Sequence, residues 1–223
     1  MRTLPRVTGY ARPEIPVQVF RDAAGQIIEY GNRWGAGAPP EDSYSVDTHP
    51  ERFAPLHTVA EALIAHLTAG YDTAVSEDLV HAADLLWERD DVSRAVRLTP
   101  NEPDAARLTF VFTSYPSVIV HAGLLHDFCY PDCGCDACDE TWQTQAEELE
   151  WHTLAVAAGN YTEYVRSGLT SWVGHTISRP DGGGWSSSEA RANGLPNDRL
   201  RIARRRLKAL RGGWQPWPTR TLL

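Results

Sequence analysis

Three strand-like segments joined by short turns constrain the fold of this chain more than any other feature of its 223 residues. Residues 92–98, 106–114 and 117–122 are rich in β-branched and aromatic side chains, which favour strands. The connections, residues 99–105 and 115–116, contain proline, asparagine and aspartate, and strands joined by such short turns pair antiparallel. The chain is therefore predicted to contain a three-stranded antiparallel meander.

Helical periodicity lies on both sides of the meander. Apolar residues at three- and four-residue steps predict one helix over residues 55–70 and another over residues 76–87, where Ser76 is the expected N-cap. The same spacing predicts a long helix from about residue 139 to about residue 166. Grouped strands packed with two to four helices are typical of an α+β fold and not of a doubly wound parallel sheet.

The two ends of the chain are less regular than its middle. Prolines and glycines interrupt residues 1–55, where one or two short strands are expected among loops that wrap the rest of the fold. A last pair of strands is expected on either side of residues 180–184. The prediction is a single α+β domain over residues 1–197, followed by a basic amphipathic helix and a tryptophan- and proline-rich tail over residues 198–223.

The charge of the chain is divided unevenly. The 21 basic and 29 acidic residues give a net charge of −8, yet residues 199–223 carry eight basic residues and no acidic one, which leaves −16 on residues 1–198. The basic helix can dock on the acidic body, in its own chain or across a homodimer, or it can bind nucleic acid or an anionic membrane. Docking is favoured, because a net-negative chain repels phosphate at long range.

Signals for export or membrane insertion are missing from the sequence. The first residues lack the apolar stretch of a secretory signal, and no run approaches the roughly 18 apolar residues of a membrane span. All four cysteines lie within ten residues, whereas the disulfide framework of a secreted protein ties distant segments together. A cytoplasmic protein without a membrane span is expected.

The cysteine cluster is the strongest chemical signal in the sequence. Its members follow the spacing C-x3-C-x-C-x2-C and are Cys129, Cys133, Cys135 and Cys138. Thiolates this close can surround one tetrahedral zinc ion, and Gly134 is expected to take a positive φ that turns Cys133 toward the others. His126 or His121, from the preceding strand, can replace Cys129 as the fourth ligand. A structural zinc site is therefore predicted.

Two other interpretations of the cluster stay open. Cys135 and Cys138 form a C-x-x-C motif at a predicted helix start, where the helix dipole lowers a thiol pKa and favours redox chemistry. Nearby acids such as Asp132 and Asp136 oppose that interpretation, since they disfavour thiolates and favour a bound cation. In the remaining interpretation the cysteines are free, and the acids only cap the long helix from Asp139.

Three short motifs carry a family resemblance. They are Tyr30-Gly-Asn-Arg-Trp34, Tyr44-Ser45 followed by His49-Pro-Glu-Arg-Phe53-Ala-Pro-Leu56, and Cys133-Gly-Cys135-Asp-Ala-Cys138-Asp-Glu140. Together they resemble a family of uncharacterised actinobacterial proteins, a domain of unknown function, over roughly residues 25–180. The resemblance implies a cytoplasmic bacterial protein and no particular activity. Cys129 lies outside the motif that carries it.

Other candidate side chains are weaker signals. Glu148 and His152 have the i, i+4 spacing that places both on one helix face, but a di-metal site needs acids from other helices, so a solvated face is expected. His57, His66 and His81 are expected to be surface residues. No nucleotide-binding or nucleophile-elbow motif points to an activity.

Two functional hypotheses follow from these observations. The first is a non-enzymatic interaction or regulatory domain whose cysteine loop is held by structural zinc. The alternative is a metal-dependent hydrolase or thiol oxidoreductase centred on the same cluster. Its working groups would be Cys133, Cys135, Cys138 and His126.

Overall fold

The described part of the chain forms two antiparallel sheets and three α-helices. The computed structural model describes residues 9–166, 168, 170–179, 182–210 and 212–221. The first sheet is a five-stranded meander in chain order, with strands β1 (Thr73–Glu77), β2 (Val92–Pro100), β3 (Leu108–Thr113), β4 (Val118–Ala122) and β5 (His126–Tyr130). The second is a three-stranded meander of β6 (Tyr161–Arg166), β7 (Trp172–Ser178) and β8 (Trp185–Arg191). The predicted α+β fold is confirmed.

The predicted three-stranded meander forms the centre of the larger sheet, and β1 and β5 extend it at its two edges. Every residue of β3 and β4 is buried, although successive side chains of a strand point to opposite faces. Helix α1 (Pro55–Gly70), which matches the predicted bounds, covers one face. On the other face, Leu85 packs against Val111 and Ile119.

The prediction of a helix over residues 76–87 is wrong in the kind of secondary structure that forms there. Ser76 lies in strand β1, where it pairs with Arg97. A short 3-10 helix, Leu79–Asp84, follows instead, and the Asp78 side chain caps it by accepting a hydrogen bond from the Val80 backbone N–H. Ser and Asp are both good N-caps, so composition alone does not distinguish the two start points.

The helix after the cysteine loop is shorter than predicted. Helix α2 spans Trp142–Ala157, and Thr141 caps its N-terminus by accepting a hydrogen bond from Thr144. Gly159 then takes a φ of +74°, a conformation typical of the residue after a helix end. Beyond it burial alternates, and residues 161–166 form strand β6. The predicted helix was longer because tyrosine and valine residues beyond Gly159 continue the helical spacing.

The N-terminal segment wraps the body in loops and short 3-10 helices. Within residues 9–54 the structure has 3-10 helices at Glu41–Ser43 and Pro50–Phe53 and one isolated bridge between Arg21 and Ile27, but no strand. The expected short strands are therefore wrong. Residues 1–8 lie outside the described residues, as do Pro180 and Asp181 of the predicted turn between β7 and β8 and Arg211 of the basic tail.

The basic C-terminal segment lies on the body of the same chain. Helix α3 (Asn197–Ala209) buries Leu200 and Ala203 in a small core that also contains residues of β7 and of the turn between β4 and β5. Arg199 donates hydrogen bonds to the backbone carbonyls of Asp84 and Leu85. No helix in the described part of the chain has the length and apolar character to span a bilayer.

The tail beyond α3 enters the main core. Trp217 is 2% exposed and donates from its indole N–H to the Ala106 carbonyl at 2.7 Å. Trp214 donates to the buried Glu163 carboxylate at 3.0 Å. That carboxylate also accepts the Leu125 backbone N–H at 2.8 Å, so one side chain of β6 joins the tail to the turn between β4 and β5.

Candidate metal centre and an adjoining histidine cleft

Three of the four cysteines converge in the loop between β5 and α2. The sulfur atoms of Cys133, Cys135 and Cys138 all lie within 4.8 Å of one another, and the first two are 3.3 Å apart. All three thiols are free. Sulfurs around a tetrahedral zinc ion lie about 3.8 Å apart, because each Zn–S bond is about 2.3 Å long. The spacing of the trio therefore suits one zinc ion.

A buried carboxylate within the loop anchors it to the N-terminal segment. Asp136 accepts a hydrogen bond from the Thr48 hydroxyl at 2.6 Å and pairs with Arg33 at 3.1 Å. These two groups hold the pKa of Asp136 below its usual range, although burial opposes them. The backbone N–H of Asp136 also donates to the Val46 carbonyl at 2.7 Å. Segments almost 90 residues apart in sequence thus fix the cysteine loop.

Arg52 is the second anchor of the loop and is only 2% exposed. Its guanidinium stacks on the rings of Tyr30 and Phe53, with centroid distances of 4.5 and 4.3 Å. One terminal nitrogen donates to the Gly134 carbonyl at 2.6 Å, and another lies 3.8 Å from the Asp136 carboxylate. The aromatic faces and the acceptors at its terminal nitrogens stabilise this buried cation, although its Nε has no hydrogen-bond partner among the described residues.

The backbone of the loop differs from the expected conformation. Gly134 is not among the residues with positive φ, whereas Asp139 takes a φ of +52°. A Cβ at Gly134 would clash with the hydroxyl and with ring carbon Cζ of Tyr115. The glycine is therefore needed for close packing, not for its left-handed conformation. Asp139 does not cap α2, since its carboxylate accepts the Arg33 backbone N–H at 2.7 Å instead.

The three thiols share hydrogen bonds. Burial opposes ionisation of Cys135, but the Cys138 backbone N–H and the neighbouring thiols lower its pKa to about 7. The side chains of Cys133 and Cys135 raise the pKa of Cys138 to about 12. A bound cation would favour the ionised form of these thiols.

The other predicted ligands lie outside this group. Cys129 and His126 are both on β5 and are not among the residues whose ligand atoms meet. His121 is buried on β4, where its Nδ1 lies 2.6 Å from the Asp127 carboxylate. Among the described residues, the group that could hold a metal ion thus consists of these three thiols.

The histidines expected at the surface are more constrained than predicted. His81 is buried and its Nε2 lies 2.8 Å from the Ser76 hydroxyl, so the prediction of a surface residue is wrong there. His57 contacts the Ser117 carbonyl at 3.0 Å through Nε2, and His66 packs edge-on against Tyr10. Each of these imidazoles has a structural contact.

A second cluster, which the sequence does not reveal, lies in a cleft of about 480 Å³ between the two sheets. We call it the histidine cleft, after three imidazoles that come from β5, α2 and β7: His126, His152 and His175. The ring centroids of His126 and His175 are 3.7 Å apart. Phe128 stacks on His152 at 4.4 Å and meets His126 edge-on at 4.3 Å.

The imidazoles in the cleft are held neutral. Burial lowers the pKa of His126 to about 3, assisted by the nearby histidines, and lowers those of His152 and His175 to about 4. The Nδ1 atom of His152 lies 2.6 Å from the Tyr130 hydroxyl. His175 is 4% exposed, and no hydrogen bond reaches its ring or that of His126 from the described residues.

Carboxylates line the same cleft. Asp127 lines it from β5 and is paired with His121 at 2.6 Å. The other three come from the cysteine loop and from α2 and are Asp132, Glu140 and Glu148. Partial burial and the charge of Asp132 raise the pKa of Glu148. The Glu148–His152 spacing was a visible signal, but residues on β5 and β7 complete the cleft. Only the packing of the two sheets brings those residues near α2.

Comparison with known proteins identifies a family. The model of a family described as "Family of unknown function (DUF6226)" matches residues 16–221. No curated protein and no solved structure gives a significant match to the chain.

Proposed function

The chain belongs to the DUF6226 family of unknown function, and we propose that it is a zinc-binding interaction or regulatory domain. In this proposal Cys133, Cys135 and Cys138 hold one zinc ion as thiolates. The observation that carries it is the convergence of three sulfur atoms within 4.8 Å. Sulfur is the ligand type that zinc prefers in structural sites.

The role of the zinc ion would be to lock the loop in place. The loop already contacts the N-terminal segment through Asp136 and Arg52, and the ion would add a cross-link between positions 133 and 138. Zinc bound to deprotonated thiols contributes binding free energy directly to folding. A cytoplasmic location, where thiols stay reduced, is part of the proposal and agrees with four free cysteines.

The test is metal content measured on the purified protein together with a thiol count before and after chelation. We expect about one zinc per chain and three thiols, those of Cys133, Cys135 and Cys138, that become reactive only after chelation. Cys135→Ser should remove the zinc. Cys129→Ser is the matched control and should retain it, because Cys129 lies outside the trio. Zinc lost equally from both variants, or absent from the wild type, would overturn the assignment.

A thiol oxidoreductase is the second candidate, and the closeness of Cys135 to Cys138 in a C-x-x-C motif favours it. Two thiols would form one disulfide and release two electrons and two protons to an external disulfide, which is reduced to two thiols. The metal-dependent hydrolase differs by using the fourth zinc position for water. A Cys135–Cys138 disulfide that cycles readily in metal-free protein would favour the oxidoreductase over structural zinc.

A further inference from the structure

The histidine cleft is a second site, separate from the cysteine trio. Its volume of about 480 Å³ lies within the roughly 300–1,000 Å³ of small-molecule pockets. His175, almost completely buried, faces it with both ring nitrogens free of hydrogen bonds from the described residues. Because His175 lines the cleft, its unpaired imidazole is available to hydrogen-bond to a molecule bound there.

The charge of the cleft determines whether its ligand is a cation or an anion. Asp132, Glu140 and Glu148 lie close enough to repel one another, and none has an ion-pair partner among the described residues. Arg179 lies near Glu148, but its guanidinium stacks on Trp151 at 4.4 Å. Arg179 balances only one of the three carboxylates, and the imidazoles, which are neutral, balance none. A cation is therefore attracted to the cleft and an anion is repelled.

The arrangement of donors favours an organic cation over a metal ion. Among the described residues, only the cysteine trio brings three metal-ligating atoms within 4.8 Å of one another. The Phe128 ring contacts both His126 and His152, so these imidazoles do not converge on one point. The cleft instead offers flat aromatic and imidazole surfaces that can pack against a planar or apolar group.

We propose that the histidine cleft binds a small organic cation, an amine or a guanidine with a planar or apolar body. The charged group contacts the carboxylates at the mouth, with Glu148 as the principal partner. The body packs on Phe128 and on the His126–His175 pair, whose free nitrogens hydrogen-bond to polar atoms of the ligand. None of the three thiols of the trio lines this site, so its ligand is distinct from the proposed zinc ion.

The test uses ligands matched in shape and opposite in charge. Tyramine and agmatine are the cationic probes, and 4-hydroxyphenylacetate is the anionic counterpart of tyramine. Titration is followed by calorimetry and by the imidazole proton resonances of the zinc-loaded wild-type protein. At least one cation should bind with a Kd below about 1 mM and shift the His126 and His175 resonances, whereas the anion should cause no shift.

Two variants and one control locate the binding. Glu148→Gln should weaken the cation about tenfold, and His175→Phe should weaken it without a loss of zinc. Glu147→Gln is the control, since Glu147 is on the same helix but does not line the cleft. The proposal is overturned if neither cation binds, if the anion binds as tightly, or if only zinc occupies the cleft. Because the resonances are recorded on wild type, a misfolded variant does not decide the outcome.

Discussion

At the scale of single residues, the fold depends on a few buried charges that are fully paired. Asp84 is 7% exposed and accepts hydrogen bonds from Arg97 at 2.7 Å, Thr109 at 2.6 Å and Arg107 at 2.9 Å. Burial alone raises a carboxyl pKa, but these partners outweigh it and lower the pKa of Asp84. One side chain thereby joins the short 3-10 helix to strand β2 and to the start of β3.

Asp84→Asn should destabilise the protein by about 2–3 kcal/mol at pH 7, since hydrogen bonds to a charged group are lost in a buried place. The pKa of Asp84 is lower in the folded protein than in the unfolded chain. Its carboxylate therefore contributes fully to the free energy of unfolding above the ordinary aspartate pKa of about 3.9, and this contribution disappears as the pH falls through the pKa of the folded state. Urea unfolding of both proteins at pH 7 and at acid pH measures the difference. Asp90→Asn, at an exposed position, is the control.

A difference between wild type and Asp84→Asn that is equally large in acid would contradict the assigned ion pairs. An Asp90→Asn effect as large as that of Asp84→Asn would do so too, because it would show that burial is irrelevant.

Gly134→Ala should destabilise the cysteine loop by about 1–3 kcal/mol, because the new methyl group meets Tyr115. Zinc affinity should fall with it, and metal titration of the purified variant measures that loss. Gly70→Ala is the matched control, since nothing lies within 4 Å of a Cβ there. Adding Tyr115→Phe to Gly134→Ala should recover part of the stability; no recovery would show that the clash lies elsewhere.

At the scale of elements, apolar periodicity predicted those helices and strands whose formation is determined by the local sequence. Helix α1 and strands β2, β3 and β4 follow their apolar patterns, and the spacing of Cys133, Cys135 and Cys138 correctly indicated one cluster. Cys129 was included by proximity in sequence, but β5 holds it in an extended strand away from the trio. The histidine cleft could not be predicted, because His175 reaches His126 only through the packing of two sheets.

At the scale of the whole molecule, the C-terminal segment completes both the core and the charge balance. Two of its basic residues contact the acidic body: Arg199 donates to backbone carbonyls of Asp84 and Leu85, and Arg206 pairs with Asp104 at 2.8 Å. Beyond the helix, Trp214 and Trp217 are buried deep in the main core. The outer face of α3 keeps Arg201, Arg204 and Arg205 exposed.

Truncation after Asn197 should therefore destabilise the protein severely, and Trp217→Ala alone should cost about 3–5 kcal/mol. Thermal and urea unfolding measure both effects. Arg205→Ala, on the exposed face of α3, is the control and should change stability by less than about 0.5 kcal/mol. Unchanged stability after truncation, together with lost binding to nucleic acid or lipid, would mean that the tail serves a partner instead.

The buried guanidinium of Arg52 couples the positioning of the cysteine loop to the docking of the N-terminal segment. It contacts Tyr30 on one side and the Gly134 carbonyl on the other, so neither segment reaches its final position without the other. Coupling between two such events is the same in both directions. For the proposed zinc ion, any factor by which a docked N-terminal segment tightens zinc binding is therefore the factor by which zinc tightens docking, and a molecule that displaces the segment would weaken zinc binding by that factor.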